Sequence, residues 1–126
     1  MKLFAVTVDF GTTIAGCTDS TFKEYALTTD ADSAKAIVLS RAYSEHEIVK
    51  VEEIEKDYVT DAQLKAFNNK FYARTNRVRW GQAFLNEFDD VKSVKALRWG
   101  GYLWQEDNVT RGLNKVQNEM GIIKYD

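Results

Sequence analysis

Apolar and polar residues alternate at the start of the chain. Phe4, Val6 and Val8 fall on the same side of this pattern. A period of two predicts a β-strand over residues 2–10. A stretch rich in Gly, Thr and Ser follows and is typical of a loop, and β character returns at residues 22–28. We therefore expect the two strands to form an antiparallel hairpin.

A helical period comes after the hairpin. Apolar residues at helical spacing predict a helix over residues 33–43, with Asp30 or Asp32 as its N-cap. Alternation then returns in a third strand, where the pattern places Val49 and Val51 on one face. The first part of the chain thus predicts a β-β-α-β unit, in which one helix covers a short antiparallel sheet.

Patterns typical of helices fill the middle of the chain. Thr60 and Gln63 fit a capping box, which predicts that a helix begins there and covers residues 61–74. Asn76 is placed to cap another helix that runs through Phe88. Both helices have an apolar side, so we expect both to contribute to the core.

The C-terminal residues contain one ambiguous segment and one clear helix. Residues 93–105 combine large apolar side chains with two adjacent glycines and predict no single element. Asn108 is typical of an N-cap, and Gly121 lies where a helix stop is common. The apolar residues at 122–123 begin a tail that predicts an edge strand.

These elements predict one α+β domain, 1–126. Its β-β-α-β unit occupies residues 1–59 and its mainly helical part occupies residues 60–126, with no proline-rich or low-complexity linker between them. The chain has 126 residues, of which 44% are hydrophobic, and this is enough apolar surface for a core. We see neither a membrane span nor a signal peptide in the sequence and expect a cytoplasmic protein.

Cysteine and histidine, which form zinc sites and take part in nucleophilic catalysis, are scarce in this chain. The single cysteine, Cys17, and the single histidine, His46, lie in no pattern typical of a zinc site or a catalytic triad. Asp9–Thr13 resembles the first phosphate loop of actin-like and sugar-kinase ATPases, which implies a magnesium nucleotide site. A Gly- and Thr-rich hairpin loop explains the same residues, and no second phosphate loop follows. We therefore predict no catalytic residue, no metal and no cofactor.

Charge is unevenly distributed along the chain. Residues 1–60 carry 6 basic and 11 acidic side chains, a net charge of −5, and residues 61–126 carry 11 basic and 8 acidic side chains, a net charge of +3. An acidic run begins in the third predicted strand and consists of Glu52, Glu53, Glu55 and Asp57. Such a run binds a cation, presents a negative face to a basic partner or forms a solvated edge, and we predict that it contacts a partner.

A basic and aromatic segment covers residues 62–86 and contains no acidic residue. Its basic residues are Lys65, Lys70, Arg74, Arg77 and Arg79. Lys and Arg attract phosphates, and exposed aromatic rings stack on unpaired bases, so the alternative function is RNA or single-stranded DNA binding. The same aromatic residues lie at helical spacing and are also typical of a core.

An Arg-Trp-Gly sequence occurs twice, at residues 79–81 and 98–100. Trp, Tyr and Arg often anchor protein interfaces. From these segments we predict partner contacts by Arg79, Trp80, Arg98, Trp99 and Tyr102. A buried position with a hydrogen-bonded indole is the other interpretation of each tryptophan.

The sequence of residues 77–86, followed by Leu103–Asp107 and a last helix, is similar to a pattern in small phage and prophage proteins. There, an Arg-x-Gly-Gln-x-Phe-x-Asn helix precedes an aromatic step and an acidic helix start. The likeness is confined to the C-terminal half and implies a phage-encoded accessory protein. Our leading hypothesis is a non-enzymatic protein that inhibits or redirects a host or defence macromolecule by occluding its surface.

Overall fold

The computed structural model describes residues 1–9, 21–41, 47–73, 78–98 and 103–125. They form two compact units, Met1–Lys56 and Asp57–Asp126. The predicted α+β class and the N-terminal β-β-α-β unit are confirmed. The division lies before the predicted boundary at residues 59/60, because Val59 pairs with Ile123 and so belongs to the second unit.

The first unit is a three-stranded antiparallel sheet with one helix packed on it. Its elements are β1 (Lys2–Asp9), β2 (Thr21–Thr28), α1 (Ala31–Arg41) and β3 (Glu47–Ile54). The strand order is β2-β1-β3, so β1 is central. β1 and β2 pair from Lys2 with Thr28 to Asp9 with Thr21, which confirms the predicted hairpin.

Helix α1 covers the apolar face of this sheet. The buried cluster consists of Phe4, Val6 and Val8 of β1, Ala26 of β2, and Ala34 and Val38 of α1. Asp30 begins the helix, because its carboxylate accepts a hydrogen bond of 2.7 Å from the backbone N–H of Ser33. That hydrogen bond lowers the pKa of Asp30. Of the two predicted N-caps, Asp30 is therefore the observed one.

A β-bulge interrupts the alternation of β3. The register with β1 shifts between Thr7 and Val8, and Val49 has no partner residue on β1. Val49 is 60% exposed, whereas Ile48 and Val51 pack against the core cluster. The prediction that Val49 and Val51 share a face is wrong, because the extra residue of the bulge shifts the period of two.

The second unit contains several helices and one pair of short parallel strands. Its elements are β4 (Val59–Thr60), α2 (Asp61–Tyr72), α3 (Trp80–Glu87), α4 (Lys92–Lys95), α5 (Val109–Asn114), a π-helical continuation (Lys115–Glu119) and β5 (Ile123–Lys124). β4 and β5 pair in parallel, which confirms a strand in the C-terminal tail. Within the described ranges, no helix has the length and apolar character needed to cross a bilayer.

Two of the predicted helix starts and one helix stop are confirmed. The Thr60 hydroxyl accepts a hydrogen bond from the backbone N–H of Gln63, and the Gln63 side chain accepts one from the backbone N–H of Thr60. The Asn108 side chain accepts a hydrogen bond from the backbone N–H of Arg111. Gly121 ends the last helical segment with a φ of 61°, a left-handed conformation that favours glycine.

Helix α3 begins later than predicted. Asn76 lies outside the described residues, and the residue in the N-cap position is Arg79, whose side chain makes no capping hydrogen bond. The backbone N–H of Gly81 instead donates to the carbonyl oxygen of Glu106 at 2.8 Å. A distant backbone segment thus satisfies one of the free donors at the start of α3, and the helix begins at Trp80, so the predicted start is wrong.

An aromatic cluster forms the core of the second unit. The ring of Phe67 meets those of Trp80, Phe84 and Phe88 edge-on, each at a centroid distance of 5.7 Å. Trp80 stacks on Phe84 at 5.1 Å, and its indole N–H donates to Asn68 Oδ1 at 2.9 Å. Trp80 is completely buried, so the prediction that it contacts a partner is corrected: it is a core residue.

We expect Gly112→Ala to destabilise the second unit. Alanine stabilises a helix interior by about 1 kcal/mol relative to glycine. At Gly112, however, a Cβ would overlap ring atoms of Trp80. Overpacking typically costs about 1–3 kcal/mol, so the net free energy of unfolding should fall. All three tryptophans lie between residues 57 and 126, so urea unfolding followed by tryptophan fluorescence measures this change.

Thr110→Ala is the matched control, because Thr110 is exposed on the same helix. We expect this variant to change the free energy of unfolding by less than about 0.5 kcal/mol. A Gly112→Ala variant as stable as the parent protein would contradict the close packing of α5 on Trp80.

Candidate binding surface

Three of the four predicted acidic contacts lie in the edge strand β3 or directly after it. Glu52 and Glu53 lie in the strand, Glu55 comes just after it, and all three are exposed. We call these three residues the acidic edge. Successive residues of a strand point to opposite faces, so Glu52 and Glu53 lie on opposite sides of the sheet. The carboxylates therefore line the border of the sheet and do not form one flat face.

Two lysines lie beside the acidic edge. Lys50 Nζ is 2.8 Å from Glu52 Oε2, and Lys2 Nζ is 3.6 Å from Glu53 Oε1. The hydrogen bond from Lys50 lowers the pKa of Glu52, and the same contact raises the pKa of Lys50. Exposed pairs of this kind contribute little to stability, so a basic partner can compete for the carboxylates. Lys50 was missed, although its spacing of two from Glu52 places both residues on one face of a strand.

Asp57, the fourth predicted acidic contact, is engaged inside the second unit. Its carboxylate oxygens accept hydrogen bonds from the backbone N–H groups of Lys92 and Ser93, at 2.7 and 2.8 Å, where α4 begins. The Ser93 hydroxyl donates to the Asp57 carbonyl oxygen and to its carboxylate. Asp57 therefore caps a helix that is distant in sequence. Both of its carboxylate oxygens accept internal hydrogen bonds, and its role as a partner contact stays a prediction.

Of the two predicted Arg-Trp pairs, the structure describes Arg79, Trp80 and Arg98. Arg79 Nε donates to the carbonyl oxygen of Trp104 at 3.3 Å, and its neighbour Trp80 is buried. Arg98 is more exposed, and its Nε lies 3.3 Å from Asp89 Oδ1. The other predicted contacts of this group, Trp99 and Tyr102, lie outside the described residues.

The basic residues predicted to bind nucleic acid have acidic or carbonyl neighbours. Lys65 Nζ is 3.1 Å from Asp61, Lys70 Nζ is 3.0 Å from Glu87, and Arg79 contacts a carbonyl oxygen. The other two predicted residues, Arg74 and Arg77, lie outside the described residues. Exposed ion pairs of this kind contribute little to stability, so the pairing of Lys65 and Lys70 does not by itself exclude a phosphate.

The aromatic residues of the same segment lie mostly in the core. Phe67 and Trp80 are buried, whereas Tyr72 at the end of α2 is 68% exposed. Stacking on unpaired bases needs exposed rings. Tyr72 and the partly buried Phe71 do not provide the series of exposed rings that the sequence suggested, and the interpretation of these residues as core residues is correct for Phe67 and Trp80.

The buried acid Glu106 was not predicted as an important residue. It is 7% exposed, with Lys115 Nζ 3.0 Å from one carboxylate oxygen and Arg111 Nε 3.3 Å from the other. The backbone N–H of Asn108 also donates to it. These contacts, that of Lys115 first, lower the pKa of Glu106. These partners belong to the start and the middle of the last helix, so Glu106 has a structural role. The available signal in the sequence was its position, two residues before the N-cap Asn108.

A surface groove in the second unit has a volume of about 370 Å³. Its lining residues are Gln63, Ala66, Phe67, Lys70, Glu87, Phe88 and Asp90. The ion pair of Lys70 with Glu87 lies along this groove. In the ranges that the structure describes, no group of three or more His, Cys, Asp or Glu residues could hold a metal ion. Residues 10–13 of the phosphate-loop resemblance, Cys17 and His46 lie outside those ranges.

Comparison with known proteins identifies no relative for this chain. No protein-family model, no curated protein and no solved structure matches it.

We expect Asp57→Asn to lower the free energy of unfolding at pH 7 by about 1–2 kcal/mol, the scale of hydrogen bonds to a partly exposed charged group. Burial opposes the charged form of Asp57, but hydrogen bonds from Ser93 and Lys92 outweigh it and lower its pKa. A lowered folded-state pKa adds stability above the ordinary value of 3.8, which is lost as the pH falls through the folded-state value.

The difference between Asp57→Asn and the parent protein should therefore shrink when urea unfolding is repeated at acidic pH. Tryptophan fluorescence at several pH values measures it. Asp90→Asn, at an exposed carboxylate, is the control and should behave like the parent protein. A stability difference that stays constant from neutral to acidic pH would contradict the capping role of the Asp57 carboxylate.

Proposed function

We propose that this chain is a non-enzymatic accessory binding protein that occludes a basic surface on a host or defence macromolecule. The observation that carries this proposal is the acidic edge: Glu52, Glu53 and Glu55 are exposed within four positions at the border of a sheet. Asp57 and Trp80 are not part of the proposed contact, because both are engaged inside the second unit.

Charge supports a basic partner. The first unit contains ten acidic and six basic residues, so it carries a net charge of −4. A negative surface attracts a basic one over roughly a Debye length of 8–10 Å and accelerates association. It also disfavours acidic competitors, which gives the contact selectivity.

Occlusion is the mode of action that these features favour. Glu52 and Glu53 lie on a hydrogen-bonded strand, and Glu55 directly follows it, so a rigid element presents most of the acidic edge. A basic surface on a host or defence protein commonly binds phosphates, and a bound acidic protein would block that surface. The resemblance of the C-terminal half to small phage proteins points the same way. The host cytoplasm is then the proposed place of action.

We expect the triple variant Glu52→Lys, Glu53→Lys, Glu55→Lys to lose its partner. Charge reversal turns attraction into repulsion at the contact, and the exposed positions leave the core intact. Affinity purification from a bacterial lysate, with mass spectrometry, should show proteins that the parent retains and the triple variant loses. Those proteins should be basic, and high salt should release them. The circular-dichroism melt should be unchanged.

The control variant carries Asp32→Lys, Asp90→Lys and Asp107→Lys, which change the net charge equally at exposed sites elsewhere. It should retain the same proteins as the parent. If the triple variant at the acidic edge retains them too, the acidic edge is not the contact and the proposal is wrong.

Nucleic-acid binding is the alternative, and we expect it to fail. Labelled single-stranded RNA and DNA can be titrated by fluorescence anisotropy at salt concentrations from about 50 to 200 mM. No saturable binding is expected, because Phe67 and Trp80 are buried and cannot stack on bases. Binding that weakens steeply with salt and is lost in Lys65→Glu, Lys70→Glu would favour the alternative instead.

A further inference from the structure

We infer that β3 binds an extended basic segment of the partner as an additional strand of the sheet. This inference rests on the proposed function and specifies how the acidic edge contacts the partner. Backbone hydrogen bonds along the outer side of β3 would supply affinity, and ion pairs with Glu52 and Glu53 would supply selectivity.

The geometry of β3 suits strand addition. Among the described strands, β3 pairs only with the central strand β1, so its outer side carries backbone N–H and C=O groups without a strand partner there. Lys50–Ile54 pair with Thr7 to Leu3 in an unbroken register. This segment is about as long as a common strand, and the bulge at Val49 lies outside it. We therefore place the contact at Lys50–Ile54.

The other edge of the sheet is less available. Arg41 Nη1 donates a hydrogen bond of 2.8 Å to the carbonyl oxygen of Tyr25 in β2. The last three residues of β2, Ala26–Thr28, are buried. By contrast, most residues of β3 are exposed. Of the two edges, β3 is thus the one that an incoming strand can reach.

Charge determines which strand fits. Glu52 and Glu53 are adjacent and lie on opposite faces, so a complementary strand needs two consecutive basic residues, one for each face. A second copy of β3 placed so that Glu52 lies opposite Glu52 or Glu53 would bring glutamates next to glutamates, which disfavours self-association in those registers. The ammonium groups of Lys50 and Lys2 already contact these carboxylates, which shows that the carboxylates can accept cations in this position.

A synthetic peptide tests the inference on the full chain. The probe is a fluorescein-labelled peptide with a central Lys-Arg pair, flanked on each side by alternating Thr and Val. Two further peptides carry N-methyl groups at alternate residues, one for each possible register, and a fourth has Glu-Glu in place of Lys-Arg. Fluorescence anisotropy measures binding of each peptide, and amide hydrogen exchange locates the bound site.

The parent peptide should bind saturably and protect the amides of Lys50–Ile54. One of the two N-methylated peptides should bind about tenfold more weakly than the parent peptide. It keeps the charge of the parent peptide but lacks the backbone N–H donors that would face β3. The Glu-Glu peptide should not bind. The variant Glu52→Gln, Glu53→Gln should bind the parent peptide more weakly, whereas the control Asp90→Asn, Asp107→Asn should bind it as the parent protein does.

The outcomes separate this inference from the proposed function. If binding depends on charge but neither N-methylated register weakens it, strand addition is wrong and the proposed function stands. The same holds if no peptide binds while lysate capture still depends on the acidic edge. If lysate capture is also unaffected by charge reversal there, both are wrong. A dimer in sedimentation that breaks when Glu52 and Glu53 are substituted would make a second copy the occupant and overturn the inference.

Discussion

Hydrogen bonding of the central strand β1 on both sides is the constraint on which the first unit depends. β1 contributes Phe4, Val6 and Val8 to the buried cluster and holds both neighbouring strands in register. A sheet of three strands then necessarily has two edge strands, each with one side that β1 cannot satisfy. On β2 an arginine reaches one of the edge carbonyl groups, and on β3 exposed glutamates border the edge. The proposed function follows from this difference between the two edges.

The second unit depends on close approach around Trp80. The ring has Phe84 stacked on it, Asn68 accepts from its indole N–H, and Gly112 has no side chain to separate α5 from it. Gly81 likewise lies where a Cβ would overlap the carbonyl oxygen of Leu103. The same Arg-Trp-Gly sequence that suggested an interface anchor therefore serves packing at its first occurrence.

The acidic residues show what a sequence pattern can and cannot predict about a surface. Glu52, Glu53 and Asp57 belong to one run of carboxylates, and the sequence offers no reason to separate them. In the structure, strand pairing leaves the two glutamates exposed, whereas Asp57 accepts hydrogen bonds from Lys92 and Ser93, 35 and 36 residues away. A carboxylate that caps a distant helix cannot be told from a surface carboxylate by its neighbours in sequence.

Local patterns were sufficient for the class of fold, the order of the first four elements and the caps at Thr60, Asn108 and Gly121, because each depends on residues within one or two turns. They did not reveal the bulge at Val49 or the start of α3. Tertiary structure decided those features, together with the burial of Trp80. Each depends on a partner strand, carbonyl group or ring that is distant in sequence, and only folding brings such groups within hydrogen-bonding or van der Waals distance.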